Sequence, residues 1–405
     1  MKRRISLLPI AVIVAILALL NYYVFGGLAV LFPSNRFALI YGILVITMIS
    51  CFIIALFRFG IRNDDLFFKL AVHAFVGFTV SEIIFSIILL IGDFSRLVLQ
   101  IFGHQLTQRI YGFSSAAAIA FVVMILLFAY GMIRGKYRYR VIKQVLYFDD
   151  LPKAFDGFTI TQISDVHSGS FDSLKGVQKG IDLINAQGSD LFVFTGDLVN
   201  NKSSEIVPWI PMFATIKAKY GQFSILGNHD YGDYIQWSSE LKKRENLDDL
   251  KRHHQKIGFK LLLDEHVELE KNGDKIILAG VENWGVGFGE KGDLNQALSG
   301  TQKDDFKILL SHDPSHFDAQ VKQYPSKINL TLSGHTHGMQ FGIEAFGIKW
   351  SPVSLRYKHW AGLKEEFGRY LYVNRGFGFL GFSGRIGIWP EITVIELKRK
   401  QHPLN

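Results

Sequence analysis

The 405-residue sequence predicts a layered α/β domain that follows four membrane-spanning helices. Two observations support this prediction. The first third of the chain contains four long segments with almost no charged residues. The remainder alternates short apolar runs, typical of strands, with stretches of helical periodicity, and this alternation indicates a layered α/β domain. The predicted organisation is a membrane region over 1–133, a basic juxtamembrane linker over 134–154, the α/β domain over 155–397 and a C-terminal tail over 398–405.

The four apolar segments are predicted as membrane spans over about 5–32, 37–57, 70–92 and 113–133. A helix needs roughly 20 residues to cross about 30 Å of hydrocarbon, and each segment meets this length. Glu82 is their only residue of the Asp, Glu, Lys and Arg types. A functional role is one interpretation of such a residue, but a packing residue, protonated or hydrogen-bonded to Ser81 or Ser86, is favoured. Residues 93–111 are predicted to form a separate amphipathic helix on the outer surface.

Basic residues are concentrated on one side of the predicted spans. On that side lie Lys2, Arg3, Arg4, Arg58, Arg62, Lys69, Arg134, Lys136, Arg138, Arg140 and Lys143, whereas the other side has Arg36, Arg96 and Arg109. Since loops rich in lysine and arginine remain in the cytoplasm, both termini and the α/β domain are predicted to be cytoplasmic, at a bacterial inner membrane.

The net charge of +8 comes from the membrane region and the linker, because the first 144 residues alone have a net positive charge larger than that of the whole chain. These charges fit anionic lipid headgroups, so membrane lipids are expected partners and nucleic acid is not. The single cysteine, Cys51, excludes an internal disulfide and fits a reducing compartment.

Five short apolar runs end in residues capable of metal binding or acid–base chemistry. The runs and their following residues are 158–164 with Asp165 and His167, 191–194 with Asp197, 223–226 with Asn228, His229 and Asp230, 306–310 with His312, and 328–332 with His335 and His337. Ligand sites in such sheets lie beyond the carboxyl ends of the strands. These side chains are therefore predicted to converge. Helices are predicted over 177–186, 210–219 and 240–252, and further strands over 259–281 and 369–397.

The predicted cluster combines carboxylate, imidazole and amide oxygen without a thiolate, a donor set that suits Mn, Fe or Zn. Two such ions about 3.5–4 Å apart can share a water molecule and stabilise both oxygens of an in-line displacement. No side-chain nucleophile is then required. For each histidine taken singly, the alternative is an ordinary core or surface residue.

The blocks Asp165-x-His167, Gly196-Asp197, 227–230, His312 and Gly334-His335-x-His337 resemble, in this order, the signature of the calcineurin-like metallophosphoesterases. The closing stretch 372–378, with Arg385 and 390–396, is similar to a bacterial membrane-associated phosphodiesterase branch that includes enzymes resembling UDP-2,3-diacylglucosamine hydrolase. The resemblance implies a four-layer α/β/β/α sandwich that holds two divalent ions, with Mn as the first choice and Fe or Zn as alternatives.

The resemblance also implies a role for each matching residue. Asp165, His167 and His337 would bind one ion, Asn228, His312 and His335 the other, and Asp197 would bridge them, with a bridging hydroxide as nucleophile. His229 would protonate the leaving oxygen or stabilise charge. Asn200 stands where several relatives have an aspartate that orients this histidine, and Asp230 would support the site from behind the ligands.

The segment after the last ligands is rich in aromatic residues, namely Phe341, Phe346, Trp350, Tyr357, Trp360 and Phe367. It is interpreted either as domain core or as an apolar trough for acyl chains. Tyr357 and Trp360 are candidates for substrate contact. Arg356, Arg375 and Arg385 are candidates for phosphate binding, since guanidinium groups pair with phosphate in a bidentate manner.

The predicted function is a membrane-embedded phosphohydrolase that acts on a lipid-linked phosphodiester or pyrophosphate, similar to a UDP-diacylglucosamine or a phospholipid. One alternative keeps this chemistry but uses soluble nucleotides or phosphoesters. Another is a non-catalytic membrane signalling or scaffold module, although every ligand position of the signature is filled.

Overall fold

The computed structural model describes residues 7–59 and 66–400. Lys2, Arg3, Arg4 and Arg62, which contribute to the predicted orientation, lie outside these residues, as do positions 401–405 of the predicted tail. The chain divides into a helical unit up to Tyr130 and a second unit that begins at Gly131. The two units are described separately below.

Within the described residues, the helical unit contains four long helices: α1 (Leu7–Leu31), α2 (Asn35–Phe59), α3 (Leu66–Ile101) and α4 (Tyr111–Ile133), the last of which ends just inside the second unit. All four are long and apolar enough to cross a membrane, as predicted. α3 is longer than expected and continues through Asp93 to Ile101. Much of the segment predicted as a separate amphipathic helix therefore belongs to α3, since no proline interrupts the chain there.

Glu82 is buried within the helical unit and has a hydrogen-bonding partner from another helix. The Tyr41 hydroxyl of α2 lies 3.1 Å from the Glu82 carboxylate and 3.2 Å from the side-chain oxygen of Asn21 in α1. Ser81 donates instead to the carbonyl of Gly77 in the preceding turn. The favoured interpretation of Glu82 as a hydrogen-bonded packing residue thus fits the structure, with Tyr41 rather than Ser81 as the partner.

Within the described residues, the second unit contains sixteen strands and five α-helices, besides short 3-10 helices. The strands are β1 (Arg140–Phe148), β2 (Phe158–Ile163), β3 (Leu191–Thr195), β4 (Gln222–Ile225), β5 (Lys260–Leu261), β6 (Glu265–Lys271), β7 (Asp274–Gly280), β8 (Trp284–Gly285), β9 (Gly289–Glu290), β10 (Lys307–Leu310), β11 (Leu330–Ser333), β12 (Ile343–Ala345), β13 (Ile348–Trp350), β14 (Gly362–Glu366), β15 (Arg369–Val373) and β16 (Glu391–Arg399). The helices are α5 (Leu174–Asn185), α6 (Ile210–Phe213), α7 (Glu240–Ile257), α8 (Leu294–Ala297) and α9 (Ser315–Ala319).

Two six-stranded mixed sheets contain most of these strands. The first has the order β1-β16-β2-β3-β4-β5 and the second the order β14-β15-β11-β10-β7-β6. Strands β2 to β5 are parallel to one another, as are β7, β10, β11 and β15. The five predicted strand–ligand units correspond to β2, β3, β4, β10 and β11, which all belong to these parallel sets.

Three apolar clusters define four layers. The largest lies between the sheets and combines residues such as Phe158 and Ile160 of β2 with Ile308 and Leu332 of the second sheet. The second cluster joins α5, α6 and α7 to the outer face of the first sheet. The third joins α8 and α9 to the outer face of the second sheet. The order of layers is therefore α/β/β/α, which confirms the predicted fold class.

β1 corrects the predicted linker over 134–154. It pairs in parallel with β16 over nine residues, from Arg140 opposite Glu391 to Phe148 opposite Arg399. Leu146 and Phe148 point into the cluster between the sheets, whereas the basic residues of β1 are exposed. The basic composition of this segment concealed its strand character, because the charges lie on the solvent side of an edge strand.

The role of β1 can be tested by comparing two neighbouring residues. Leu146→Ala is expected to lower the free energy of unfolding by about 2–5 kcal/mol, because it creates a cavity between the sheets. Tyr147 is exposed on the same strand, so Tyr147→Ala should change the free energy of unfolding by no more than about 0.5 kcal/mol. All six tryptophans lie between residues 209 and 389. Tryptophan fluorescence during denaturant unfolding in detergent therefore monitors this unit alone, and equal effects of both variants would contradict the assignment.

Candidate metal centre

The predicted site residues lie together just beyond the ends of five strands. β2 is followed by Asp165 and His167, β3 by Asp197, β4 by Asn228 and His229, β10 by His312, and β11 by His335 and His337. The first three strands belong to one sheet and the last two to the other. The structure therefore brings side chains from both sheets to one edge of the sandwich, as the sequence predicts.

One group consists of Asp165, His167 and His337, all three buried. The Nε2 atoms of His167 and His337 are 3.0 Å apart. The Nε2 atom of His337 is also 3.2 Å from an oxygen of Asp165. Three potential ligand atoms thus point towards a common centre.

A second group contains Asn228, His312 and His335. The Nδ1 atom of His335 is 2.9 Å from the side-chain oxygen of Asn228 and 3.3 Å from Nε2 of His312. The Nδ1–H group of His312 donates to the carbonyl of Thr195 at 2.7 Å. Because this bond places the ring proton on Nδ1, the Nε2 lone pair of neutral His312 faces the group.

Asp197 lies between the two groups. Its Oδ2 atom is 3.2 Å from Nε2 of His312 and 3.5 Å from Nε2 of His167. The other oxygen of Asp197 accepts the backbone N–H of His229 at 2.9 Å. One carboxylate oxygen is therefore shared by both groups while the other is held by the backbone.

This geometry fits two divalent metal ions. Ligand atoms that each lie about 2.1 Å from one ion are separated from one another by about 3 Å, which is the separation within each group. The donors are imidazole nitrogens and carboxylate or amide oxygens, and such mixed sets hold Mn, Fe or Zn. Bound cations would supply positive charge among these closely spaced donor atoms.

Burial and charge act in opposite directions on these groups. Burial favours the neutral form of Asp197, but the neighbouring His312 and His229 hold the pKa of this carboxylate well below its usual range. Burial likewise opposes protonation of His312, yet the charge of Asp197 raises the pKa of this imidazole to about 10. Burial lowers the pKa of His335 to about 4 and dominates there. The site is thus a strongly anionic position surrounded by imidazoles.

Five of the predicted ligands adopt the left-handed backbone region, namely Asp165, His167, Asp197, His335 and His337, with φ between 46° and 70°. Such conformations are costly for residues with a Cβ atom and concentrate at functional sites. Gly196 has φ of 94°, and a Cβ atom there would lie 2.7 Å from the backbone nitrogen of Gly227. The small residue before Asp197 therefore permits close approach of the β3 and β4 loops.

His229 is oriented by a main-chain group. Its Nδ1 atom lies 2.8 Å from the backbone carbonyl of Asn200, whereas the Asn200 amide donates to Ser170. The expected orienting role thus belongs to the carbonyl of residue 200 and not to its side chain. A carbonyl oxygen can only accept a hydrogen bond, so Nδ1 of His229 carries the proton and Nε2 is left for the cavity.

Asp230 supports the site from behind, as expected. Its carboxylate accepts the backbone N–H groups of Asp197, Leu198 and Gly227 at 2.9, 2.8 and 2.9 Å. The loops after β3 and β4 are therefore held together by one buried side chain.

Two further residues at the site were not predicted. Asp313 lies 3.3 Å from Nε2 of His335 and accepts a hydrogen bond from the Tyr357 hydroxyl at 3.0 Å. Tyr234 stacks on His229, with ring centroids 4.3 Å apart, and its hydroxyl lies 2.7 Å from the Asn228 amide nitrogen. Asp313 follows His312 directly in the sequence, but its partner His335 is distant in sequence, so only the fold reveals the contact.

A cavity of about 350 Å³ opens onto this cluster. It is lined by His167, Asp197, Asn228, His229, Phe288, His335, Thr336, His337, Met339, Pro352, Val353, Arg356, Tyr357 and Leu380. Arg356 and Tyr357, two of the predicted substrate contacts, therefore lie at the cavity. Arg356 is exposed and stacks over the Phe288 ring at 4.3 Å.

The other three predicted substrate contacts are buried elsewhere. Arg385 donates to the carbonyl of Gly378 and lies 3.2 Å from Nδ1 of His337, so it packs behind a candidate ligand. Arg375 forms ion pairs with Glu391 at 2.5 Å and with Glu344. Trp360 belongs to a small apolar core with Val353 and Ile388. The aromatic and basic composition of this segment could not distinguish these internal partners from a ligand.

Comparisons with known proteins agree with the motifs. A family model described as calcineurin-like phosphoesterase matches residues 158–339. A second model, described as a probable transmembrane domain of calcineurin-like phosphoesterases, matches residues 3–136. The chain is similar to the uncharacterized metallophosphoesterase YkuE of Bacillus subtilis, with 33% identity over 252 residues, which are 61% of this chain and 82% of the relative.

Two further relatives have related descriptions. A transmembrane protein with metallophosphoesterase domain from Danio rerio is 27% identical over 69% of this chain and 62% of its own length. An uncharacterized metallophosphoesterase of Aquifex aeolicus is 28% identical over 69% of this chain and 98% of its own length. The similarity therefore extends over more than half of this chain in each case.

The contact between Asp313 and His335 predicts an effect on metal affinity. Asp313→Asn should weaken binding of Mn²⁺ or Zn²⁺ by about 10–100-fold, because a carboxylate partner orients a ligating histidine and increases its basicity. Isothermal titration calorimetry of metal-stripped protein measures this change. Tyr357→Phe removes only the hydroxyl that donates to the same carboxylate, so its effect should stay below about tenfold. Unchanged affinity in Asp313→Asn would exclude the assigned role.

The buried position of Arg375 predicts an effect on stability. Arg375→Met should lower the free energy of unfolding by about 3–5 kcal/mol, because it leaves buried Glu391 without its cation. Arg356→Met, at the exposed arginine of the cavity, should change it by no more than about 0.5 kcal/mol. Chemical denaturation followed by tryptophan fluorescence compares the two. A stable Arg375→Met variant with impaired substrate binding would restore the original interpretation of this residue.

Proposed function

Because the chain belongs to the calcineurin-like metallophosphoesterase family, we propose that it uses two divalent ions to hydrolyse a lipid-linked phosphodiester or pyrophosphate. The family and the four apolar helices make it a membrane-anchored, metal-dependent phosphoesterase. The number of ions, the identity of the metal and the substrate go beyond this family assignment and are what we propose.

The shared Asp197 carboxylate is the observation that carries the proposal of two ions. Its Oδ2 atom lies within 3.5 Å of an imidazole nitrogen from each ligand group. In this proposal Asp165, His167 and His337 hold one ion, and Asn228, His312 and His335 hold the other. A bound pair of ions would lower the pKa of a water molecule and offset negative charge on the phosphorus oxygens.

The remaining residues of the site orient the substrate and handle the proton. His229 donates its Nδ1–H to a carbonyl, which leaves Nε2 to hold a proton at the leaving oxygen. Tyr234 stacks on this ring and limits its rotation. Arg356 lines the cavity with an exposed guanidinium, which can donate two hydrogen bonds to phosphate oxygens in bidentate geometry. No side-chain nucleophile is required.

The preference for a lipid-linked substrate rests on tethering and on the cavity lining. The membrane helices keep the site at high effective concentration relative to substrates in the same bilayer. Phe288, Met339, Val353 and Leu380 give the cavity apolar walls beside the ligand groups. Mn is the proposed metal, with Fe or Zn as alternatives that the donor set also accepts. The proposed location of the site is the cytoplasmic face of a bacterial inner membrane.

A substrate panel with a variant of the shared carboxylate tests this proposal. Purified protein with added Mn²⁺ is assayed on lipid pyrophosphates, phosphatidyl diesters, nucleotides and a soluble aryl phosphodiester. Asp197→Asn should lower kcat for every hydrolysed substrate by at least about 100-fold, since changes even to groups behind metal ligands cost up to this much. The expected order places lipid substrates above soluble ones in kcat/KM.

Two outcomes would contradict separate parts of the proposal. A folded Asp197→Asn protein with parental turnover would exclude a catalytic role for the shared carboxylate. Equal kcat/KM on soluble nucleotides and on lipids would favour the alternative in which the same chemistry serves soluble phosphoesters. Circular dichroism of the variant distinguishes loss of chemistry from loss of fold.

A further inference from the structure

The hairpin formed by β12 and β13 exposes an unusual amount of apolar surface. Ile343 pairs with Trp350 and Ala345 with Ile348, so these four side chains share one face of the hairpin. Ile343, Ile348 and Trp350 are 50%, 54% and 45% exposed, and Phe346 at the turn is fully exposed. Large apolar side chains are thus contiguous on the outer face and tip.

The opposite face of this hairpin carries half-buried Glu344 and exposed Lys349, and the charged groups of both contact the domain. Glu344 pairs with Lys349 across the strands. Glu344 forms an ion pair with Arg375, and the Lys349 ammonium donates to the carbonyl of Ala361 at 2.5 Å. The large apolar side chains are therefore exposed while both charged groups are bound to the domain, whereas a hairpin in water usually packs its apolar face on the core.

The base of the hairpin is connected by short contacts to Gly131, where the second unit begins. The N–H group of Gly342, just before β12, donates to the carbonyl of Ile386 at 3.0 Å. The neighbouring Arg385 donates its N–H to the carbonyl of Gly131 at 3.2 Å. Gly131 lies in the last turn of α4, which ends at Ile133.

Basic and aromatic residues surround the same exit from α4. The guanidinium groups of Arg138 and Arg140 lie 4.8 and 5.8 Å from the centre of the Trp389 ring. Tryptophan and arginine next to a membrane span are typical of the headgroup region. The contacts from Gly131 to Gly342 therefore place the base of the hairpin beside a segment suited to that region.

We propose that the β12–β13 hairpin inserts its apolar face and the Phe346 tip into the headgroup region of the bilayer. The exposed apolar face favours an apolar partner outside the domain, and the bilayer is the partner we assign, because Gly131 continues directly from a helix long and apolar enough to span a membrane. Met339 and Pro352, which flank the hairpin in sequence, both line the catalytic cavity. Insertion therefore brings the rim of the cavity to the lipid surface, whichever phosphoester is hydrolysed.

Site-directed spin labelling of the full chain in lipid nanodiscs tests the insertion. Cys51 is the only cysteine, so Cys51→Ser provides a background in which Phe346→Cys carries a single nitroxide. Collision with oxygen should exceed collision with a water-soluble nickel complex, with a depth about 5–10 Å inside the interface. The matched control is Asn272→Cys at the polar β6–β7 turn, before the amino end of β7 and thus opposite the site. This label should remain fully accessible to nickel.

The proposal fails if the label at position 346 is as accessible to nickel as the label at position 272. It also fails if spin–spin broadening at position 346 shows that a second copy of the chain covers the hairpin. The measurement does not depend on hydrolysis. A negative result would therefore contradict the insertion proposal without contradicting the proposed substrate class.

Discussion

The sharing of one Asp197 oxygen between two groups of imidazoles is the constraint on which the structure of the site depends. Each group draws ligands from both sheets, because Asp165, His167 and Asn228 follow strands of the first sheet whereas the other histidines follow the second. Neither group can form unless the sheets are packed face to face in one register. The apolar cluster between the sheets therefore fixes the ligand distances as well as the stability of the domain.

This arrangement is costly before a cation binds. Five ligands have left-handed backbone conformations, each of which costs on the order of 1–3 kcal/mol, and burial of the Asp197 carboxylate opposes its charge. The core and the hydrogen bonds of Asp230 offset these costs. Binding of divalent ions would add stability to the folded state, because the unfolded chain cannot assemble donors from both sheets.

The strand–ligand units could be predicted because each is local: an apolar run and the polar residues that follow it. The convergence of the seven side chains followed from their positions at strand ends, and the four-layer order followed from the resemblance of the motifs to the calcineurin-like metallophosphoesterases. Other features depend on partners distant in sequence. Arg375 is paired with Glu391, Asp313 with His335, and β1 with β16. From composition alone, Arg375 resembled a phosphate ligand and β1 resembled a linker. The partner of each is identified only by the folded structure, because β16 is distant from β1 in sequence and Glu391 lies beyond the segment that contains Arg375.

The candidate ligand His337 and the hairpin are close in sequence and are joined by an ordered turn. Residues His337 to Gln340 all have positive φ, and the Gln340 side chain donates to the carbonyls of Phe382 and Gly384. Gly384 precedes Arg385, whose N–H contacts Gly131 at the end of α4. If the hairpin lies in the headgroup region as proposed, this ordered turn would hold His337 at a fixed distance from the lipid surface. Access to the site would then depend on the depth of the substrate phosphate in the bilayer.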